Sequence, residues 1–227
     1  MSTYNSDHII ESTTEIALLS GWGILKEYLS NMEDYLHETI SEFKTGISEQ
    51  KKTLRPGQRN QFDIDHVWDY IYYYDEFPYI LRNSFLVSTY SLFEFDIDII
   101  CRKLKAVKKI PINLNNLYGN LLKRLKLYFK LAAVDYSFDN TTWDKINNYS
   151  NLRNCIVHRN GLLKEGDKDY KELLDYVKEK GLMKERTIIF DDAAETEIGL
   201  TKDFCEEVAE NMQKFIDTAY KASITKD

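Results

Sequence analysis

Proline and glycine are scarce in this sequence, with three prolines and nine glycines among 227 residues. Both residue types interrupt helices, and 30% of the residues are charged, a composition that favours a helical protein. A chain of this length can bury a sizeable core, either as one large domain or as a domain with appendages. We therefore expect an all-α fold.

Membrane-spanning and export signals are also missing. No apolar run reaches the roughly 18 residues that a transmembrane helix needs, and the N-terminus lacks the charged and apolar regions of a secretory signal. The three cysteines, Cys101, Cys155 and Cys205, are odd in number and far apart, which favours reduced thiols over disulfides or a zinc site. The sequence therefore predicts a cytoplasmic protein without a membrane partner.

The common motifs of cofactor-dependent and metal-dependent enzymes do not occur. The sequence contains no GxxxxGK[ST] or GxGxxG loop for phosphates, and neither HExxH, CxxC nor GxSxG. We therefore expect no cofactor and no bound metal.

Acidic residues are absent from one long block of an otherwise acidic chain. The formal net charge is −7, and residues 1–100 contain 17 acidic and 7 basic residues. Residues 101–134 contain no acidic residue and nine basic ones: Arg102, Lys103, Lys105, Lys108, Lys109, Lys123, Arg124, Lys126 and Lys130. Such a block can follow a phosphate backbone, and its second half supplies the candidate RNA-binding residues: Lys123, Arg124, Lys126 and Lys130. The alternatives are a solvated helix pair that balances the acidic half, or a contact with an acidic partner.

Apolar residues at helical spacing predict a long N-terminal helix, since they alternate by three and four positions from Leu18 to Ile47. We expect Asp63 to be the N-cap of the next helix. That helix carries a cluster of tyrosines: Tyr70, Tyr72, Tyr73 and Tyr74. Tyrosines at helical spacing are typical of a core with hydroxyl groups at its rim, and the alternative is a platform on which bases stack.

Residues 79–109 are apolar on most sides, which predicts the central helix of a bundle. Pro111 ends that helix, and leucines from position 114 to 131 mark the next one. Thr141 to Asp144 resemble a capping box that opens a helix over residues 142–159, and we expect this helix to pack beside residues 79–109. Asn160 and Gly161 end it, because both tolerate a positive φ.

The C-terminal part is predicted to contain a short helix over about residues 169–180. A small β-hairpin of residues 187–190 and 197–200 follows, and then a final helix capped by Thr201. We therefore expect residues 1–227 to form a single helical domain with long N-terminal helices. Its bundle core covers about residues 8–160, and a C-terminal helix–hairpin–helix covers about residues 168–222.

The helix over residues 142–159 has one polar stripe, which follows the spacing i, i+4, i+7 and i+11: Asn147, Asn151, Asn154 and His158. The opposite arc is apolar: Ile146, Tyr149, Leu152, Ile156 and Val157. Arg153 falls inside this apolar arc, where a guanidinium is costly unless a carboxylate or a phosphate meets it. Glu94, on an apolar face of the central helix, is the expected carboxylate partner of Arg153, and Asp98 is the next candidate to contact Glu94. The alternative for Glu94 is a position at a helix boundary from which it reaches solvent.

The segment from Arg153 to His158, with the sequence RNCIVH, resembles the Arg-x4-His motif of HEPN-domain ribonucleases. Asn154 matches the polar residue that typically follows the arginine in that family. The resemblance implies a HEPN-like helical bundle that cleaves RNA without metal and leaves 2′,3′-cyclic phosphate and 5′-hydroxyl ends. It assigns cleavage to Arg153 and His158, with Asn154 in support, and further support is expected from Glu94, Asn147 and Asn151.

Many relatives in that family are toxins or anti-phage defence factors, so the resemblance also implies an antitoxin or a defence-system partner. The family acts as dimers in which two copies of the motif form one cleft. This agrees with geometry, because residues five positions apart point about 140° apart on a regular helix. Either the last helical turn is distorted, or Arg153 and His158 of two copies in a homodimer act on one phosphate.

The chemistry of the two side chains suits RNA cleavage. Imidazole exchanges protons near neutral pH and can remove the 2′-hydroxyl proton or protonate the leaving 5′-oxygen. The end of a helix favours a positive charge on His158, which suits the acid role. The guanidinium of Arg153 offers a fixed fork of donors to the phosphorane oxygens.

Three other interpretations of the motif are open. The stripe can be an ordinary helix end whose histidine is satisfied by local carbonyl groups. Cys155 can be a thiol nucleophile beside His158, although no third orienting residue is evident. The whole bundle can be a non-catalytic HEPN-like module that binds a partner protein, such as a nucleotidyltransferase-type antitoxin, or mediates dimerisation.

Overall fold

The N-terminal helix, α1, spans Ser6–Thr53 in a computed structural model that describes residues 6–134, 138–166, 170–184 and 196–224. Its side chains are described from Gly21 onward. The long helix expected from the apolar spacing is confirmed, and its inward face is buried along the described length: Trp22, Leu29, Leu36 and Ile47.

Short helical pieces connect α1 to the central helix. A 3-10 turn, Pro56–Gln58, is followed by α2 (Arg59–Asp65), α3 (Val67–Ile71) and a π-helical turn, Tyr72–Glu76. The expected N-cap at Asp63 is wrong, because Pro56 already starts helical structure seven residues earlier. Asp63 instead lies within α2 and forms an ion pair with Lys51 at 2.5 Å.

The tyrosines of this region form an aromatic cluster on the outside of α1. Tyr70, Tyr73 and Tyr74 surround Phe43, with ring centroids 4.4–6.4 Å from it. None of the clustered tyrosines is buried, and Tyr72 and Tyr74 are 50% and 44% exposed. The expectation of a core position is therefore wrong, because the short helices lie against one side of α1 and no further element covers them within the described residues.

The central helix, α4, spans Phe77–Lys108 and packs against α1. Polar contacts of described side chains join the helices: the indole of Trp22 donates to buried Asp96 at 2.8 Å, and Arg82 donates through two nitrogens to the carboxylate of Glu33. Lys109 ends α4 with a φ of 51°, and Pro111 follows, as expected.

Two helices follow α4 along the chain. The first, α5, spans Leu121–Leu131 and is capped by Asn120, while the residues expected to start it form a separate 3-10 turn, Leu114–Asn116. The second, α6, spans Asn140–Arg159. The expected capping box at Thr141 is wrong, because the carboxylate of Asp139 accepts the backbone N–H of Thr142 at 2.7 Å and begins the helix earlier.

The remaining described elements are β1 (Leu162–Leu163), α7 (Tyr170–Glu179), β2 (Met183–Lys184), β3 (Thr196–Ile198) and α8 (Lys202–Ile224). The strands form an antiparallel sheet in the order β1-β3-β2. The expected strand at 197–200 overlaps β3, whereas residues 187–190 lie outside the described residues. A connecting segment rather than a strand was expected at Leu162. The strand β1 forms there because it pairs with β3, which is distant in sequence.

The core lies where α4, α8 and α6 meet. The ring of Phe215 contacts the rings of Phe93 and Trp143 there and stacks on Phe138 at 4.1 Å. The hydroxyl of Thr201 accepts the backbone N–H of Phe204, so the expected cap of the final helix is confirmed. No helix in the described ranges is long and apolar enough to cross a membrane.

Candidate active site

Helix α6 ends where the sequence predicts. Asn160 adopts a φ of 50° and Gly161 a φ of 73°, and the backbone N–H groups of both donate to the carbonyl of Cys155. Both bonds go to one of the carbonyl groups near the helix end, where intrahelical partners run out. His158 and Arg159 therefore belong to a properly terminated last turn.

Contacts from α4 and the small sheet hold this end of α6. The hydroxyl of Tyr79 donates to the carbonyl of Asn160 at 2.5 Å, and the N–H of Ile198 donates to the carbonyl of Gly161 at 2.9 Å. The thiol of Cys155 donates to the carbonyl of Leu162. Burial raises the pKa of Tyr79 to about 12, so its hydroxyl stays a donor at neutral pH.

The polar stripe of α6 lies on the surface. Asn147 and Asn151 are half-buried, while Asn154 and His158 are exposed. Val157, expected in the apolar arc, is 46% exposed, so that expectation is wrong. The buried arc is narrower than predicted, because Arg153 and Val157 lie one turn apart along its edge.

Arg153 rests on the aromatic ring of Tyr90 in α4. Its guanidinium carbon lies 5.7 Å from the ring centroid, and one terminal nitrogen donates to the Oδ1 of Asn154 at 3.0 Å. Its Nε is buried and has no hydrogen-bond partner among the residues that the structure describes. Burial raises the pKa of Tyr90, and a hydrogen bond with Ser150 and the positive charge of Arg153 partly offset this shift.

The expected pairing of Arg153 with Glu94 is not formed. Glu94 is exposed, and neither residue takes part in an ion pair within the described chain. The reason is the antiparallel register of the two helices, in which Tyr79 meets Asn160 and Tyr90 meets Arg153. Glu94 lies one turn beyond Tyr90, where its carboxylate remains hydrated.

One chain does not bring Arg153 and His158 to the same point. Helix α6 remains α-helical to Arg159, so their directions differ by about 140°. Arg153 lies against α4, whereas His158 is exposed and forms no hydrogen bond or ion pair in the described chain. The last turn of α6 is therefore not distorted in a way that would bring the two side chains together.

The basic block does not form one continuous stripe. Lys126 lies over the ring of Trp143 at 4.6 Å, and Lys103 lies over the ring of Tyr220. Arg124 points to Asn115 instead. Lys123 and Lys130 are exposed. The expected RNA-binding side chains of α5 therefore point in several directions.

The cysteines are unsuited to nucleophilic chemistry. All three are buried and free of disulfides. Burial raises the pKa of Cys101 and of Cys205 to about 12, and the thiolate is the reactive form. Cys155 is occupied by the carbonyl of Leu162. Within the described ranges, no three His, Cys, Asp or Glu side chains come together as metal ligands.

Sequence reasoning missed Tyr79 and Tyr90, the two α4 residues that position the motif. They are eleven positions apart and therefore lie on one face of α4, three turns from each other. The sequence alone shows this spacing, but the spacing indicates only that the two residues share a face of the helix. Their partners on α6 depend on the register between helices, which spacing does not reveal.

Comparisons with protein-family models, with curated proteins and with solved structures give no match for this chain. Its function therefore has to be inferred from the geometry of its own residues.

Proposed function

We propose that this protein is a metal-independent endoribonuclease of the HEPN type that acts as a homodimer, in the role of a toxin or an anti-phage defence effector. The observation that carries the proposal is the state of Arg153. It is a half-buried guanidinium that lacks a carboxylate partner in the described chain and rests on a neutral ring. Such a cation is suited to an anion that arrives from outside, such as a phosphate.

The proposed reaction transfers the RNA phosphate to a neighbouring hydroxyl. The 2′-oxygen loses its proton to a base and attacks phosphorus, while the bond to the 5′-oxygen breaks and that oxygen takes a proton. His158 supplies proton transfer, and Arg153 stabilises the charge on the phosphorane. Asn154 holds the guanidinium and is exposed to the substrate. The products are a 2′,3′-cyclic phosphate and a 5′-hydroxyl end.

The two catalytic side chains are proposed to come from different subunits. Their divergence on a regular α6 supports a two-fold dimer in which His158 of one copy faces Arg153 of the other. Asn147 and Asn151 suit the seam between copies, because amides pair with their symmetry mates without burying net charge.

The second candidate is a non-catalytic binding or dimerisation module for a partner protein, such as a nucleotidyltransferase-type antitoxin. It is favoured by exposed apolar side chains in and beside the aromatic cluster: Ile64, Val67, Trp68, Tyr72, Tyr74, Phe77 and Ile80. Residues 60–81 contain five acidic residues and no Lys or Arg, so this surface suits a basic protein segment rather than RNA.

The test replaces each motif residue and measures RNA cleavage. Arg153→Ala and His158→Ala are each expected to lower the rate by about 100-fold or more, because each removes a distinct transition-state interaction. EDTA is expected to leave cleavage intact. Arg59→Ala and His37→Ala, at exposed positions on α2 and α1, are the matched controls and should retain full activity.

Growth of bacteria that express the wild type or His158→Ala separates the two candidates. A nuclease slows growth only in the wild-type form, whereas a binding module gives the same growth in both. Cleavage that requires Mg²⁺, or that survives both motif substitutions, would contradict the proposed mechanism.

A further inference from the structure

A cavity between the C-terminal half of α4 and the turn Leu114–Asn116 lies outside the motif helix. Its volume is about 320 Å³, at the lower end of the range of about 300–1,000 Å³ typical of small-molecule sites. We propose that this asparagine pocket binds a nucleotide through its phosphate group. The side chains that argue for it are Asp98, Arg102, Asn113, Asn115 and Asn116.

The hydrogen bonds of the three asparagines fix the orientation of their amides. The Oδ1 of Asn115 accepts from Arg124 at 2.7 Å, and that of Asn113 accepts from Lys105 at 2.7 Å. The Oδ1 of Asn116 accepts the backbone N–H of Asn113 at 2.8 Å. Since each oxygen faces a donor, each amide nitrogen is left without a hydrogen-bond partner in the described chain. The three asparagines are exposed and line the pocket, so their NH₂ groups are available as donors at its rim.

The charge around the pocket is positive. Lys105 and Arg124 donate to the asparagine turn from outside the lining. Arg102 and Asp98 line the pocket and pair with each other at 2.6 Å, so the excess positive charge comes from Lys105 and Arg124. Residues 101–134 contain no acidic residue. Amide donors beside an excess of cations select an anionic ligand with several acceptor oxygens, which is the chemistry of a phosphate group.

An exposed aromatic ring close to the pocket in sequence is the reason to propose a nucleotide rather than a bare phosphate. Tyr118, two residues after Asn116, is 98% exposed. Aromatic rings beside a cationic groove stack on the bases of single-stranded nucleic acids. A free mononucleotide and a nucleotide within an RNA strand offer the same phosphate and base. The inference that the ligand is part of an RNA strand rests on the proposed function.

The substitution Asn115→Asp tests the pocket with little change in shape. It keeps the oxygen that accepts from Arg124 and replaces the free NH₂ donor by a negatively charged oxygen. Asn120→Asp is the matched control, because Asn120 caps α5 through its oxygen and does not line the pocket. Arg102→Gln, at a largely exposed side chain, is a second pocket variant that leaves the turn intact.

Binding is measured by fluorescence anisotropy with a labelled single-stranded RNA, in the uncleaving His158→Ala background. Calorimetry with uridine monophosphate, adenosine monophosphate and uridine is run in parallel. Asn115→Asp and Arg102→Gln are expected to weaken RNA binding by about tenfold or more. Asn120→Asp should change it less than about twofold, and uridine should bind more weakly than its monophosphate.

The outcomes separate this inference from the proposed function. Pocket-dependent nucleotide binding by a protein that cleaves no RNA would support the pocket and overturn the nuclease proposal. If only the mononucleotides bind, the free nucleotide is the ligand. A third outcome is that the protein cleaves RNA, but Asn115→Asp and Arg102→Gln bind RNA and mononucleotides as tightly as the wild type. That result would overturn the pocket and leave the nuclease proposal standing. Absence of any RNA or nucleotide binding to the wild type would also overturn the pocket.

Discussion

Arg153 lies on a tyrosine ring at a place where a carboxylate would usually neutralise it. The ring face of Tyr90 attracts the guanidinium by about 0.5–2 kcal/mol, depending on how far it is desolvated. The ring carries no negative charge, so the full positive charge of Arg153 remains for a ligand. Tyr90 is thus a positioning residue, and its ring is the part that acts.

Replacing Tyr90 separates the ring from its hydroxyl. Tyr90→Phe keeps the ring under Arg153 and is expected to retain cleavage within about twofold. Tyr90→Leu removes the cation–π contact, and cleavage is expected to fall by about tenfold. The rate at saturating RNA and the melting temperature are measured together. Equal rates for the Phe and Leu variants, at equal stability, would show that the ring does not position Arg153.

Asp96 is a buried carboxylate whose main contact is the indole of Trp22. Burial raises the pKa of Asp96 from 3.8 to about 6, the Trp22 hydrogen bond lowers it in part, and Asp217 raises it further. The folded protein therefore holds this proton more tightly than the unfolded chain. The resulting stability is present below pH 3.8 and is lost as pH rises through 6.

Asp96→Asn is expected to stabilise the protein at neutral pH. Its amide oxygen still accepts from Trp22, and no buried charge forms, so the free energy of unfolding at pH 7 should rise by about 1–3 kcal/mol. In urea unfolding experiments between pH 4 and 7, the free energy of unfolding should fall less steeply with rising pH for the variant than for the wild type. Asp34→Asn, an exposed change on α1, is the control. Parallel curves for Asp96→Asn and the wild type would contradict this account.

At the scale of elements, the end of α6 depends on a glycine under α4. Gly161 has a φ of 73°, and a Cβ there would lie 2.6 Å from the hydroxyl of Tyr79. Any other residue therefore combines backbone strain with a steric clash. The same hydroxyl bonds to Asn160, so the last turn of α6 and the position of His158 are set together.

Gly161→Ala is expected to destabilise the protein by about 1–3 kcal/mol. In a Tyr79→Phe background the clash is absent, and the same substitution should cost about 1 kcal/mol less. Gly23→Ala is the control, and it should change the stability in the opposite direction. Gly23 lies inside α1 with open space around its Cβ position, so alanine should stabilise that helix by about 0.5–1 kcal/mol.

Thermal unfolding of the single variants and of the double mutant measures these changes in stability. A Gly161→Ala variant as stable as the wild type would contradict the strain argument.

At the scale of the whole molecule, the divergence of Arg153 and His158 predicts complementation between inactive variants. A mixed dimer of Arg153→Ala and His158→Ala contains one site with both residues and one site with neither. After random exchange, the mixture should recover about a quarter of wild-type cleavage, because half of the dimers are mixed and each has one working site. Cleavage assays before and after subunit exchange measure the recovery.

Light scattering and crosslinking at low micromolar concentration check the dimer itself. The two single variants should remain dimeric, since neither substitution removes the asparagine seam of Asn147 and Asn151. A strict monomer with full nuclease activity would contradict the composite site. Dimers that exchange subunits and recover no activity would show that both residues act within one chain.

Local sequence determined most of the helices. The long α1, the central α4, the stop at Asn160 and Gly161 and the cap at Thr201 all follow from spacing and capping within a few residues. The motif and its polar stripe could also be predicted from the sequence, because the residues that share a face of a helix follow from their spacing within that helix. Errors at Asp63 and Thr141 arose where a turn or a cap further upstream began helical structure first.

Tertiary structure alone decided what meets the motif. The antiparallel register of α4 and α6 puts Tyr90 under Arg153 and leaves Glu94 in solvent, although the sequence makes the carboxylate the better partner. The pairing of β1 with β3 and the convergence of Lys105 and Arg124 on one turn are likewise contacts between distant segments. Periodicity describes one element at a time, whereas register and pairing depend on how side chains of separate elements pack together.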